Sequence, residues 1–282
     1  MQRRTELLLG KDSLDRIQSA RVLIFGLGGV GSWCAEALVR SGVRNLTIVD
    51  SDRVCVTNCN RQLMATGRTI GQVKADALRE RLLEINPDAN ITACQRIYEA
   101  ATAGEFHMEE YGYIVDAIDS LKEKADLILR ATSLPRHITF VSSMGAALRR
   151  DPFMIRKAEF WKVKGDPLAR ALRNKFKKSR AMPRRKFQCV YSEEPPMKNL
   201  GVNRACGTGG CLCPKARLLS GERGTDTAVY DAPGDQRLAE HEWCSAKAQI
   251  NGSLCPITAA FGMAIAGIVI NDIVDRQHSQ VQ

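Results

Sequence analysis

A chain of 282 residues with 44% apolar content can bury a full core in one large domain, or in a domain with a sizeable appendage, and is not a small scaffold held by staples. Its longest apolar run, Ile257 to Ile270, is 14 residues against the roughly 20 that a bilayer span takes, so we expect a buried helix and no membrane segment. The formal charge of +10 has a local source: Arg149 to Phe187 carries fifteen Lys and Arg against Asp151, Glu159 and Asp166, an excess of +12 that suggests an anionic partner for that stretch.

In chain order, Leu7-Leu8-Leu9 is too short for a signal-peptide core, which predicts a cytoplasmic protein. Arg21 to Phe25 is a short apolar run that ends in glycines, the pattern of a central parallel strand buried on both faces. Ser32 to Val39 reads as a helix, Leu46 to Val49 as a strand and Gly71 to Ile85 as a long amphipathic helix stopped by Asn86-Pro87. Ile91 to Ala93 and Tyr113 to Val115 read as strands, Leu121 to Ala131 as a helix and Ile138 to Val141 as another strand. This alternation predicts an α/β fold: a Rossmann-type, doubly wound, mostly parallel sheet with ligand chemistry at the carboxyl ends of its strands. After Gly145 the pattern weakens into basic, then Gly- and Cys-rich sequence, which we read as a C-terminal elaboration facing the substrate. The expected division is a nucleotide-binding core over 1–150, a basic and Cys-rich segment over 151–250, and a C-terminal helix over 251–282 that packs back on the core.

Gly26-Leu27-Gly28-Gly29-Val30-Gly31 has the Gly-x-Gly-x-x-Gly spacing between a strand and a helix, where backbone amides receive phosphate oxygens. Asp50, at the tip of the next strand, is placed to accept ribose hydroxyls. Up to this point a nicotinamide dinucleotide fits as well as ATP. Asn58-Cys59-Asn60-Arg61-Gln62 and Lys74 then bring cations toward the same strand ends, which suits a triphosphate, because adenylyl transfer builds charge on the α-phosphate and on departing pyrophosphate. Asp116-Ala117-Ile118-Asp119 ends a later strand and places one or both carboxylates where magnesium could bridge protein and phosphates.

The glycine run, Asp50-Ser51-Asp52, Asn58 to Gln62, Gly71 to Lys74, Ile85-Asn86-Pro87 and Asp116 to Asp119 together resemble the ubiquitin-activating-enzyme-like superfamily, over residues 3 to 145. That resemblance implies an ATP-dependent adenylyltransferase with Asp50 on the ribose, Arg61 and Lys74 on the phosphates and Asp119 on Mg2+. The nucleotide contacts it implies include Gly26, Gly28, Gly29, Gly31, Asp52, Asn58, Asn60 and Gln62. Arg4, in Arg4 to Gly10, resembles an arginine that reaches the neighbouring subunit's ATP site, which implies a homodimer. Within the superfamily, Arg4 to Gly10, Val141 to Ala146, Gly165 to Ala169 and Val190 to Glu194 are most similar to the tRNA threonylcarbamoyladenosine dehydratases. The implied reaction adenylylates the threonyl carboxylate of the modified adenosine beside the anticodon, after which the carbamoyl oxygen displaces AMP and closes a ring. The alternative is activation of the Gly-Gly tail of a ubiquitin-like sulfur carrier, with a cysteine desulfurase or sulfur acceptor as partner. A thioester-forming activator would need a cysteine after the last core strand, and none lies between Cys94 and Cys189. The basic segment would contact the tRNA backbone, with Phe160, Trp161 and Phe176 interleaved as stacking residues.

Cys206, Cys211 and Cys213 stand on a glycine-rich stretch and depart from the family pattern. They either ligate zinc or an iron-sulfur cluster, with Cys244, Cys189 or Cys255 as fourth ligand, or are unligated thiols. Cys34, Cys55, Cys59 and Cys94 fall in or near the core pattern and need no special role.

Overall fold

The computed structural model describes residues 2–201 and 251–276. Seven strands form one sheet in the order β3-β2-β1-β4-β5-β7-β6. They are β1 (Arg21–Phe25), β2 (Asn45–Val49), β3 (Asn90–Cys94), β4 (Tyr113–Asp116), β5 (Thr139–Ser143), β6 (Ile155–Glu159) and β7 (Gln188–Ser192). All pairings are parallel except that of the edge strand β6 with β7.

Alternation along β1 separates the two faces. Val22 and Ile24 pack toward α3 (Gly31–Ser41), α4 (Lys74–Ile85) and α7 (Cys255–Asp275), whereas Leu23 and Phe25 pack toward α5 (Leu121–Ser133) and α6 (Pro167–Ser179). The sheet is therefore doubly wound, as its sequence implies. Its strand order reverses between β1 and β4, which opens a crevice at their carboxyl ends.

The helix that begins near Gly71 starts three residues later than its apolar pattern suggests, at Lys74. Gly71 has φ +95°, and Arg53 pairs with Val73 as an isolated bridge, so the chain enters this helix extended. Beyond residue 150 the sequence pattern had weakened, yet β6, α6 and β7 continue the same sheet and its outer layer. Two short N-terminal helices, α1 (Arg3–Leu9) and α2 (Lys11–Ser19), precede β1.

The C-terminal helix α7 is 21 residues with mean hydropathy 1.9, long and apolar enough to cross a membrane by those measures alone. Here Ile257, Phe261, Ile265, Val269 and Ile273, spaced four apart, form its buried stripe in the core shared with α3. At its far end Asp272 accepts from Tyr113 Oη (2.9 Å), Thr139 Oγ1 (3.0 Å) and Arg276 Nε (2.8 Å), which pins the helix to the starts of β4 and β5. Close contact with α3 depends on Gly262, where a Cβ would lie 2.5 Å from the Val30 carbonyl oxygen and 2.8 Å from the Cys34 nitrogen. Gly262→Ala is therefore expected to cost about 1–3 kcal/mol, as overpacking does. A melting midpoint within a degree of the wild type would show that α7 can shift to make room.

Candidate active site

The glycine turn leaves β1 at Phe25 and enters α3 at Gly31, so the first amides of α3 face the crevice. Two glycines are required by space. Gly26 has φ +87°, and a Cβ there would lie 2.7 Å from the Ala117 carbonyl oxygen; a Cβ on Gly31 would overlap the Gly26 carbonyl. Gly29 backs onto α7, with its Cβ position 2.8 Å from Thr258 Oγ1. At Gly28 a Cβ would meet only Gln62 Nε2, at 4.0 Å, which leaves open space above the turn.

Asp50 is locked into this turn. Its Oδ2 accepts from the Leu27 amide at 2.6 Å and its Oδ1 from the Asp52 amide at 2.9 Å. Burial pushes its carboxyl above the ordinary range, against the pull of Lys74 and of these two donors. Lys74 is 5% exposed, so it is not an ordinary solvated helix lysine. Its Nζ lies 2.8 Å from Asp52 Oδ2 and 3.9 Å from Asp50 Oδ1. Burial alone would lower its proton affinity, but Asp50 and Asp52 hold it above its ordinary value, so it remains a fixed cation. Asp52 thus serves as the partner of Lys74.

The stretch after β2 folds back over α3. Asn58 Oδ1 accepts from the Cys55 amide (3.0 Å), the Trp33 indole donates to the Arg61 carbonyl (3.0 Å), and Ser32 Oγ joins the Gly28 carbonyl (2.7 Å) to the Leu63 amide (3.2 Å). Asn60 donates to the Ser253 carbonyl at 2.9 Å, which ties this stretch to the approach to α7. Arg61 Nη1 donates to Thr57 O (3.0 Å) and Asn60 Oδ1 (2.9 Å). Burial lowers the Arg61 guanidinium from its ordinary value, and the nearby negative charge of Asp119 opposes that shift. Arg61 and Asp119, distant in sequence, are thereby brought together at the strand ends. Gln62 is 6% exposed, and its Oε1 has no hydrogen-bond partner among the described residues.

Asp116 does not join Asp119 in offering a carboxylate to a metal. It is fully buried, with Lys124 Nζ at 2.8 Å, Ser142 Oγ donating to Oδ2 at 2.6 Å and the Ile118 amide donating to Oδ1 at 3.1 Å. Its side chain shapes the turn that carries Asp119. Lys124, which no sequence signal marked, supplies the balancing charge.

Three of the four stretches that resemble the dehydratases, Val141 to Ala146, Gly165 to Ala169 and Val190 to Glu194, are tied together after β5, whereas Arg4 to Gly10 lies apart on α1. The Met144 amide donates to the Val190 carbonyl (2.8 Å), the Gly145 amide to Asp166 Oδ2 (3.1 Å), and the Arg150 and Asp151 amides to Glu194 Oε2 (both 3.0 Å). Asp166 also caps α6 through the Ala169 amide at 2.8 Å.

Other expectations change. Phe160 and Phe176 are fully buried and pack edge-to-face on each other, so neither can stack on a base; Trp161 is 38% exposed. Cys189 is enclosed in β7, where burial pushes its thiol well above its ordinary value. Cys59 is exposed and not part of the core. Cys206, Cys211, Cys213 and Cys244 lie outside the described residues. No cluster of three or more His, Cys, Asp or Glu suited to a metal occurs among the described residues. Arg4 is exposed on α1, a helix with no buried residue, where Leu7 and Leu8 are 77% and 81% exposed.

A nucleotide fits these residues. The space above Gly28, the orphaned Gln62 oxygen and the amides at the start of α3 form a cradle, and Arg61 and Lys74 supply positive charge. A single exposed carboxylate such as Asp119 suits magnesium, which takes most of its ligands from water and phosphate.

The model of the ThiF family matches residues 2–281. The tRNA threonylcarbamoyladenosine dehydratase of Bacillus subtilis (strain 168) is 38% identical over 194 residues, 69% of this chain and 75% of that protein. The enzyme of the same name from Escherichia coli (strain K12) is 36% identical over 195 residues, 67% of this chain and 72% of that protein. The crystal structure of the E. coli tRNA N6-threonylcarbamoyladenosine dehydratase in complex with ATP is similar at TM-score 0.73 and 28% identity, over 98% of this chain and 95% of that one. The E. coli (strain K12) molybdopterin-synthase adenylyltransferase is 32% identical over 140 residues, only 50% of this chain.

Proposed function

Because the chain belongs to the ThiF family, we propose that it is an ATP-dependent tRNA threonylcarbamoyladenosine dehydratase. The carrying observation is the grouping of Arg61 with Lys74 and Asp119 around the Asp50 that locks the glycine turn. The Bacillus subtilis and Escherichia coli enzymes of that name match 69% and 67% of the chain, whereas the molybdopterin-synthase adenylyltransferase matches 50%.

In this reading the threonyl carboxylate attacks the α-phosphorus of ATP, and the bond to the β-phosphate oxygen breaks as pyrophosphate departs. The carbamoyl oxygen then attacks the acyl carbon, AMP leaves and a ring closes; the carbamoyl nitrogen gives up its proton, so the nucleoside loses one water in all. No enzyme nucleophile is needed, since the attacking oxygen is held within the substrate. Asp50 and the orphaned Gln62 oxygen accept ribose hydroxyls. The Gly26 to Gly31 amides, Arg61 and Lys74 hold the phosphates and favour the charge that builds on them. Asp119 would hold Mg2+, which when bound screens the leaving pyrophosphate. Asp52 and Asn60 act one step back, on Lys74 and Arg61.

The finer features belong to the same proposal. Arg4 on the uncovered helix α1 reaches the ATP site of a second copy, whose contact would cover Leu7 and Leu8. The tRNA lies along the basic segment, and the enzyme works in the cytoplasm. An iron-sulfur cluster at Cys206, Cys211, Cys213 and Cys244 would colour the fresh protein and show in its visible absorption spectrum, whereas zinc there would not.

Full-length protein incubated with ATP, Mg2+ and threonylcarbamoylated tRNA should release AMP and leave a nucleoside lighter by one water. Unchanged nucleoside would refute the proposal. Pyrophosphate exchange that instead depends on a small protein with a Gly-Gly tail would favour the sulfur-carrier alternative.

A further inference from the structure

Phe153 is 86% exposed, in contrast to the buried Phe160 and Phe176. It stands in the short turn Pro152–Met154 that leads into β6, and several contacts hold that turn in one shape. The Asp151 carboxylate accepts from the Phe153 amide at 2.9 Å, Pro152 fixes the backbone, and the Glu193 amide donates to the Met154 carbonyl at 3.0 Å. Glu194 grips the preceding Arg150 and Asp151 amides. A ring on so stiff a tip cannot fold back onto the core to gain burial.

The position of the tip is set by the sheet. Ile155 pairs with Ser192, the last residue of β7, and β7 runs parallel to β5. Phe153 therefore projects from the same carboxyl edge as the glycine turn. Cations flank it: Arg150 and Arg156 are exposed, and Arg156 Nη1 donates to the Phe153 carbonyl at 2.7 Å. Arg156 lies 3.4 Å from Glu193, a half-exposed pair that leaves it accessible, and Lys157 beside it is also exposed.

We propose that Phe153 is a stacking platform for an unpaired base of the tRNA, with Arg150 and Arg156 meeting the phosphates on either side. The inference rests on the dehydratase reading and names where that substrate touches the protein. A single-stranded loop offers what this tip can receive: a free base face for the ring and anionic backbone for the arginines. A symmetric contact between two copies would instead oppose arginine to arginine, which charge repulsion disfavours.

The test measures binding of threonylcarbamoylated tRNA to full-length wild type, Phe153→Ala, Phe153→Trp and Arg156→Gln over a series of salt concentrations, together with ATP affinity without tRNA. Phe153→Ala should weaken tRNA binding roughly 5- to 150-fold, the range of one base–aromatic stack, with an unchanged salt slope and unchanged ATP affinity. Phe153→Trp should retain binding, and Arg156→Gln should reduce the salt slope by about 0.7, one phosphate contact to a single strand. Wild-type affinity in Phe153→Ala, or loss of a dimer in its sedimentation profile, would overturn the inference while leaving the dehydratase reading intact. Failure of the wild type to convert the tRNA would instead bring down that reading.

Discussion

Alanine at Asp119 or at Arg61 should each lower the rate of AMP formation by about 10²- to 10³-fold, the loss typical when one preorganised group facing developing charge is removed. The two residues sit at opposite ends of one electrostatic device. Arg61 is held by Thr57 O and Asn60 Oδ1 and faces Asp119, while Asp119 leaves the turn that Asp116 fixes below it. If both act on charge that appears only as pyrophosphate departs, kcat and kcat/KM should fall together while KM for ATP changes little. Asp119→Ala should also raise the Mg2+ concentration needed for half-maximal rate, a change that Arg61→Ala does not share. Neither should alter the melting midpoint much, because Asp119 is exposed and Arg61 is only half-buried, with bonds confined to its own loop. Wild-type rates in both variants would mean that the chemistry happens elsewhere.

How far the sequence foretold this arrangement depended on the kind of signal. The β1–glycine–α3 unit was legible because local sterics dictate it: the backbone at Gly26 and Gly31 passes too close to other backbone for any side chain. The convergence of Arg61, Lys74 and Asp119 was legible because strand ends in a parallel sheet must share an edge. The region after Gly145 was obscured by charge. Arg156 and Lys157 are exposed on the edge strand β6 and break the apolar alternation that marks a strand. In α6 the apolar set Ala169, Leu172 and Phe176, at helical spacing, was the signal that Phe176 belongs to the core rather than to an RNA surface. Phe153 carried no pattern at all, since its exposure results from the capped turn and from the register of β6 on β7.

Lys124 was the least legible residue, and its replacement carries the largest expected loss of stability. Its side chain and that of Asp116 are both fully buried, with Nζ 2.8 Å from Oδ2 and a second bond of 2.9 Å to the Ile118 carbonyl. Lys124→Met would keep most of the packing but leave the Asp116 carboxylate enclosed with only Ser142 Oγ and the Ile118 amide for compensation. Breaking a buried pair from one side typically costs about 3–5 kcal/mol, because the remaining charge has neither its partner nor water. The loss should appear as a lower urea midpoint with an unchanged slope. Activity should also suffer in the molecules that stay folded, since the Ile118 carbonyl that Lys124 holds lies next to Asp119. The double variant Asp116→Asn with Lys124→Met separates the two roles. Removing both charges should recover most of the stability, as apolar or neutral replacements of buried ion pairs often do. Activity should return only in part, because the Ile118 carbonyl loses its tether. A double variant as unstable as the single one would show instead that Lys124 contributes through its contacts in α5 and not through the charge of Asp116.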